Sequence, residues 1–385
     1  MKVIQIVHSY YPFIGGVETH VKEISEELSK RGIQVEIYTT DPTGDLPREE
    51  IVGGISVKRF RSWAPNGCYF VPFPEMWIAF RKIHADIIHV HCIHDLHAPF
   101  AFLFLPSKET IYLTPHYCGQ GGSFVRRLFW RLYRPVLRIL IRRASLITCV
   151  SKYEKQLIRK EFNIPKQKIV VVPNGIDVRE LKKIKNQVIM QKPTIRNDVT
   201  TILYVGRIDE KKNVGEIISA ISILHEERER NIKLTIVGSG RLVPRLKKVA
   251  KQKGVSKIIE WKQNIPRELL LEEYAKASIF VFPSEIEAFG LAVCEAIAMG
   301  VPTIVANAGA LSELVSAGLA TGIDPPITSK KIAKCITETL NEVPVSGQEI
   351  SFKAWSQVAQ IMFNLYRSVG KNSLSQEAGI TNSDK

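Results

Sequence analysis

MKVIQIVHSYYPFIGGVETHVKEISEELSKRGIQVEIYTT, residues 1–40, decides the fold. A β-branched run at Val3–Val7 is followed by a helical stretch, Val17–Arg31, which Gly32 stops, and then by a second β-branched run at Gln34–Thr39. A helix between two such runs is the mark of a right-handed crossover in a parallel sheet. The pattern continues with strands expected at Asp86–Val90, Thr110–Thr114, Leu146–Val150 and Lys168–Val172. Ser151 and Glu154 form a capping box that starts a helix directly after the strand ending at Val150.

From Thr200 the pattern begins again. A strand to Val205, a helix from Asn213, a strand at Lys233–Val237 and a helix opening near Pro244 are followed by strands at Ile279–Phe282 and Pro302–Val305, flanking a helix that Gly300 ends. The polar stretch Lys182–Asp198 separates the halves. The expected plan is α/β: two doubly wound Rossmann-like domains at 1–185 and 200–350 about a central cleft, and a linker at 186–199. A C-terminal helix at 351–370 would pack back toward the first domain, ahead of a frayed tail at 371–385. Ligand residues are expected just after strands, outside their carboxyl ends.

Composition narrows the class. With 45% hydrophobic and 24% charged residues, the chain reads as globular rather than disordered or fibrous. Met1–Tyr10 is neither a secretory h-region nor a cleavage site, and Phe100–Leu105 is too short to span a bilayer, so a cytoplasmic location is expected. Six cysteines without a CxxC pair indicate neither a zinc knuckle nor a disulfide framework. The net charge of +15 points to an acidic partner, whether nucleotide phosphate, anionic lipid or nucleic acid.

Four places carry chemistry. Gly15-Gly16-Val17-Glu18 opens the first helix and lets backbone N–H groups approach an anion, without the spacing of a dinucleotide fingerprint. Gly206-Arg207 ends a strand, and Lys211-Lys212-Asn213 opens the next helix. Arg207 can offer a forked pair of hydrogen bonds and Lys212 a point charge to a diphosphate, which removes the need for a metal. In Pro283-Ser284-Glu285-Ile286-Glu287-Ala288-Phe289-Gly290-Leu291, Glu287 falls in a turn after a strand, and the amides of Phe289, Gly290 and Leu291 sit at a helix start. Glu295 follows eight residues after Glu287, about 12 Å if the steps are helical, so that one carboxylate would hold sugar hydroxyls and the other a ribose diol. Glu295 lies in an apolar setting and requires a partner. Gly238-Ser239-Gly240 suits either a backbone lining base and ribose or a plain turn. His89, His91, His94 and His97 have spacings that bring imidazoles together, but no carboxylate pattern supports a catalytic metal.

The segment with Glu287, Phe289-Gly290 and Glu295 resembles the E-x7-E signature of glycosyltransferase family 4, whose members have the GT-B fold and retain anomeric configuration. Gly15-Gly16, Pro173-Asn174-Gly175-Ile176-Asp177, and Gly206-Arg207 with Lys212 match that family's other motifs in order, over about Met1 to Tyr366. The resemblance implies that Arg207 and Lys212 bind the donor diphosphate, completed by Gly16 from across the cleft. It assigns Glu287 to the transferred sugar, Glu295 to the ribose, and His116, after the strand at Thr110–Thr114, to the reacting sugar. No metal or cofactor is implied. Lys262-Gln263-Asn264 departs from the family's glycine-containing turn, so base specificity does not carry over.

The expected activity is retaining transfer of a hexose from a nucleotide-diphosphate sugar to a hydroxyl acceptor, lipid-linked or polysaccharide. Phe124–Arg143 interleaves seven arginines with apolar residues and suits an anionic membrane surface, placing the enzyme at the inner face of the membrane. The competing readings are a nucleotide-sugar epimerase of the same architecture and a non-catalytic nucleic-acid-binding protein. The first lacks an explanation for the E-x7-E segment, and the second lacks a nucleic-acid motif.

Overall fold

The computed structural model describes residues 1–64, 70–119, 124–191, 199–227, 231–341 and 351–368. The chain divides into two compact units, Met1–Gly175 with the segment from Lys353 onward, and Ile176–Phe352.

In the first unit the strands are β1 (Lys2–Ile6), β2 (Gln34–Asp41), β3 (Glu49–Val52), β4 (Ile55–Trp63), β5 (Val71–Pro72), β6 (Ile87–His91), β7 (Ile111–Thr114), β8 (Leu146–Cys149) and β9 (Ile169–Val171). They form one sheet in the order β3-β4-β2-β1-β6-β7-β8-β9, with β5 paired to β4. β1 lies parallel to both β2 and β6, with Val3 opposite Val35 on one side and Ile87 on the other. Val3, Ile4 and Ile6 are fully buried, as a strand covered on both faces requires. The helices are α1 (Gly16–Ser29), α2 (Pro74–Arg81), α3 (His97–Phe104), α4 (Phe124–Ile141) and α5 (Lys152–Phe162).

The antiparallel addition β3–β4–β5 is absent from the sequence reading. Its signal was Gly53-Gly54, whose φ values of +59° and +80° supply the two positive angles of a tight hairpin turn.

The second unit holds α6 (Val178–Gln191), β10 (Val199–Val205), α7 (Val214–Glu226), β11 (Asn231–Val237), α8 (Val243–Gln252), β12 (Ile259–Lys262), α9 (Arg267–Lys276), β13 (Ile279–Phe282), α10 (Leu291–Ala298), β14 (Thr303–Ala306), α11 (Leu311–Ser316), β15 (Thr321–Ile323) and α12 (Ser329–Asn341). Its sheet runs β12-β11-β10-β13-β14-β15, all parallel. Both sheets are therefore doubly wound α/β, as expected. In each, the strand order reverses beside the first strand, between β1 and β6 and between β10 and β13, where ligands bind in such folds.

The expected linker is different. Residues 178–191 form α6 and belong to the second unit, and the division falls at Gly175/Ile176 rather than after residue 185. Leu181, Ile184 and Val188 recur at helical spacing and pack into that unit's core; the lysines between them gave the stretch its polar appearance. Residues 192–198 and 369–385 lie outside the described residues. The last helix, α13 (Trp355–Arg367), belongs to the first unit and packs on α1, with Arg31 donating to the Ser356 carbonyl at 2.7 Å. Cys92, Cys149 and Cys294 are buried free thiols.

Candidate active site

In the second unit, the loops after β10 and β13 meet at the switch point. Gly206 continues the sheet beyond β10, its N–H donating to the Val237 carbonyl at 3.0 Å, and Ile208 donates to Ser239 at 2.8 Å. The loop after β11 therefore runs against the loop after β10. A Cβ on Gly238 would lie 2.0 Å from the Gly206 oxygen, and one on Gly240 2.2 Å from the Ile208 oxygen. Both glycines are explained by this close backbone packing.

Arg207 projects into solvent, with 78% of its side chain exposed. Asp209 then caps a single turn at Glu210–Lys212, accepting the Lys211 N–H at 3.0 Å. Asn213 takes φ +52°, a conformation asparagine tolerates. Its amide donates to the Pro283 carbonyl at 2.9 Å and to Glu285 at 3.3 Å, tying the two loops together.

That tie brings Lys212 to Glu287. The ammonium forms an ion pair with Glu287 Oε1 and lies 5.4 Å over the Phe282 ring, with only 10% of the lysine side chain and 15% of the glutamate exposed. The Glu287 carbonyl accepts the Ala310 N–H at 3.2 Å, fixing the backbone from the other side. Gly290, at φ +93°, is the N-cap of α10 and turns the chain into the helix; a Cβ there would lie 2.7 Å from Leu311. Helical geometry begins at Leu291, so the 12 Å estimate over eight helical steps does not hold. Only the last four steps from Leu291 to Glu295 are helical, because the left-handed Gly290 interrupts the path.

Glu295 has the partners its apolar surroundings required. Arg267 at the start of α9 lies 2.6 Å from Oε1, and the Tyr274 hydroxyl donates to Oε2 at 3.2 Å. Burial and the adjacent Glu295 charge keep the Tyr274 pKa well above its ordinary value. Neither Arg267 nor Tyr274 was found from sequence, since a lone arginine 28 residues before its partner carries no local signal.

The first unit holds a histidine cluster of its own. His91 at the end of β6 places Nε2 2.7 Å from Gln5 Oε1, and His20 on α1 places Nδ1 2.7 Å from Asn174 Oδ1. In neutral rings these oxygens fix the protons on those two nitrogens. His116, after β7 and at φ +47°, sets Nε2 3.4 Å from His91 Nδ1, and its ring meets the His20 edge at 5.0 Å. His89 is held by Tyr366 at 2.7 Å and Thr114 at 2.8 Å, and His97 by the His91 carbonyl at 2.7 Å. Burial lowers all five pKa values: His20 and His97 to about 4, and His89, His91 and His116 well below the ordinary value.

The sequence cluster of His89, His91, His94 and His97 is thus dispersed. His94 packs on Tyr117 and Trp130, and His97 on His8. Among the described residues, the groups that bring three potential metal ligands within 4.8 Å are His20-His91-His116 and His8-Cys92-Asp95. Gly15 is the N-cap of α1, where Glu18 folds back so closely that a Cβ on Gly15 would lie 2.4 Å from its carboxylate. Glu18 in turn accepts from Ser9 and pairs with His8 at 3.3 Å. Gly16 and His116 belong to the first unit; Arg207, Lys212, Glu287, Phe289, Gly290, Leu291 and Glu295 belong to the second.

The chain matches the family model described as Glycosyltransferase Family 4 over residues 14–180 and the one described as Glycosyl transferases group 1 over residues 185–346. An uncharacterized glycosyltransferase of Methanocaldococcus jannaschii is 27% identical over 335 residues, covering 82% of this chain and 83% of that protein. A GDP-mannose:cellobiosyl-diphosphopolyprenol alpha-mannosyltransferase of Komagataeibacter xylinus is 24% identical, over 96% of this chain and 93% of its own. Among solved structures, sucrose-phosphate synthase from Thermosynechococcus elongatus aligns with a TM-score of 0.80 at 20% identity, over 97% of this chain and 100% of that one, a likeness of fold.

Proposed function

The chain belongs to the group 1, family 4 glycosyltransferases, and from that premise we propose that it is a metal-independent, retaining hexosyltransferase that uses a nucleotide-diphosphate sugar. The observation that carries this reading is the buried Lys212–Glu287 pair beside the amide-rich start of α10, at the switch point of the second sheet. A cation and a carboxylate in contact suit the two adjoining parts of one donor, the diphosphate and the sugar it leaves.

In this proposal Arg207 and Lys212 neutralise the departing diphosphate, with Gly16 completing the phosphate site. Glu287 orients the sugar hydroxyls, the amides of Phe289, Gly290 and Leu291 face phosphate or sugar oxygen, and Glu295 binds the ribose diol. Gly238 and Gly240 bring the backbone near base and ribose. His116 lies by the reacting sugar. The acceptor hydroxyl attacks from the face the diphosphate leaves, forming the new C–O bond as the anomeric C–O bond breaks, and a departing phosphate oxygen takes the acceptor's proton. Positive charge from side chains then serves where a metal would otherwise be needed.

The acceptor proposed is a lipid-linked or polysaccharide glycan, met at the inner face of the membrane by a cytoplasmic enzyme. Two observations support this. The Komagataeibacter relative is named for a diphosphopolyprenol acceptor, and α4 exposes Val136 and Ile139 on the same helix as Arg131, Arg134 and Arg138. No described helix is long and apolar enough to cross a membrane. The epimerase and nucleic-acid readings draw no support from the matches.

A thermal-shift panel of UDP- and GDP-sugars, with and without magnesium, tests the donor assignment. A cognate donor at about 100 times its Kd adds roughly 2.7 kcal/mol of stability. A shift independent of magnesium is expected with one donor, and a shift that appears only with magnesium would overturn the metal-independent mechanism. Loss of flotation with anionic liposomes at low salt would remove the membrane assignment.

A further inference from the structure

His116 keeps a left-handed backbone, φ +47°, which a residue bearing a Cβ holds only where its surroundings enforce it. The enforcement comes from α5. Glu154, in that helix's first turn, accepts the Tyr117 N–H through Oε1 at 2.5 Å and the Val150 N–H through Oε2 at 2.6 Å. A capping box would have closed this side chain on its own N-cap residue. Ser151 does cap as expected, accepting the Glu154 N–H at 3.0 Å, but the carboxylate reaches past it to the ends of two strands, β7 and β8.

Seven residues further along α5, Glu161 accepts the Tyr117 hydroxyl at 2.7 Å, and the Tyr117 ring stacks on Trp130 at 5.6 Å. The residue after His116 is thus gripped at its amide and at its phenol by one helix. Glu154 itself is fully buried, and burial pushes its pKa up to about 8 against the pull of the two amides. A buried carboxyl is an expensive way to secure a helix start that Ser151 already caps, and its two contacts beyond that helix point to another role.

We propose that Glu154 is a positioning residue for glycosyl transfer, fixing the turn at His116 so that the imidazole is presented to the reacting sugar. This rests on the reading of His116 as the active-site histidine. The carboxyl group turns one oxygen to each amide, whereas a glutamine offers one acceptor oxygen and sets its NH2 against the remaining N–H. Glu154→Asp keeps the carboxyl group but is too short to reach both amides at once.

The test compares the full-length protein with Glu154→Gln, Glu154→Asp, Ser151→Ala and His116→Ala. Turnover is read as nucleoside-diphosphate release from whichever of UDP-glucose, UDP-N-acetylglucosamine or GDP-mannose the wild type consumes. Both Glu154 variants are expected to lower kcat by about ten-fold or more while the donor KM stays within about two-fold. Ser151→Ala, which weakens the same helix start, should leave kcat within about two-fold. Glu154→Asp serves if Glu154→Gln does not fold. A Glu154 variant that folds with wild-type kcat, while His116→Ala is inactive, overturns the positioning role alone. An active His116→Ala overturns the reading of His116 beneath it.

Discussion

Acidification should weaken the first unit far more than an ordinary domain, and the size of the effect follows from its buried histidines. His20, His89, His91, His97 and His116 are held neutral by burial, with pKa values below the ordinary 6.5. The unfolded chain takes up a proton at each as the pH falls through 6.5, and the folded unit does not. The stability from these groups is therefore present above that pH and lost below it. Between about pH 7 and 5.5 a histidine that stays neutral in the folded unit forfeits on the order of 1 kcal/mol, so the five together cost several kcal/mol at most.

Two groups oppose this loss. Burial raises Glu154 to about 8, so between pH 7 and 5.5 the folded unit binds a proton there that the unfolded chain does not, and acidification favours the fold at this group. His8, which burial alone would lower, is raised well above 6.5 by contacts with Cys92 and Glu18 and acts in the same direction. They offset part of that loss, leaving a net cost on the order of a few kcal/mol out of a typical 5–15. That corresponds to a drop in melting temperature of about 10 °C. Tryptophan fluorescence isolates the unit, since Trp63, Trp77, Trp130 and Trp355 lie in it and Trp261 in the other. A midpoint that moves by less than about 2 °C between the two pH values would refute the reasoning.

Glu287→Gln should lower turnover by about a hundred-fold, because a neutral amide no longer balances Lys212 or grips sugar hydroxyls; near-normal transfer removes Glu287 from the mechanism. Gly290→Ala should destabilise the second unit by about 1–3 kcal/mol in denaturant titration, since it must hold a left-handed φ and push into Leu311. Arg267→Ala removes the ion pair to Glu295 and keeps the Tyr274 hydrogen bond; as the guanidinium is half exposed, the loss should be modest, about 1–2 kcal/mol by urea unfolding. Exhaustive chelation with EDTA should leave turnover unchanged, and activity restored only by added divalent ion would contradict the proposed use of Arg207 and Lys212.

The parallel strands were legible because strands buried on both faces read as short runs dominated by β-branched and aromatic residues, as at Val3–Val7 and Ile279–Phe282. What escaped was of two kinds. Segment 178–191 is helical, but its surface carries lysines and other polar residues between the apolar positions that face the core, so composition suggested a linker where spacing indicated a helix. The links around the site are tertiary: Arg267 to Glu295, Asn213 to Pro283, His20 to Asn174 and Glu154 to Tyr117 join residues whose separation in sequence gives no hint of contact. Sequence indicated that Glu295 required a partner, because an unpaired carboxylate in apolar surroundings is costly. It could not say which residue would arrive.

The helix Trp355–Arg367 completes the first unit although nearly half the chain is made between Gly175 and it. During synthesis the second unit can therefore finish folding while the first is still waiting for its last piece. Until that helix emerges, Tyr366 is not present to satisfy His89, nor Trp355 to fill the space that Gly175 leaves open. A ribosome that stops short would release a chain whose later half is sound and whose earlier half is unfinished, the reverse of the usual order in which translation makes domains secure.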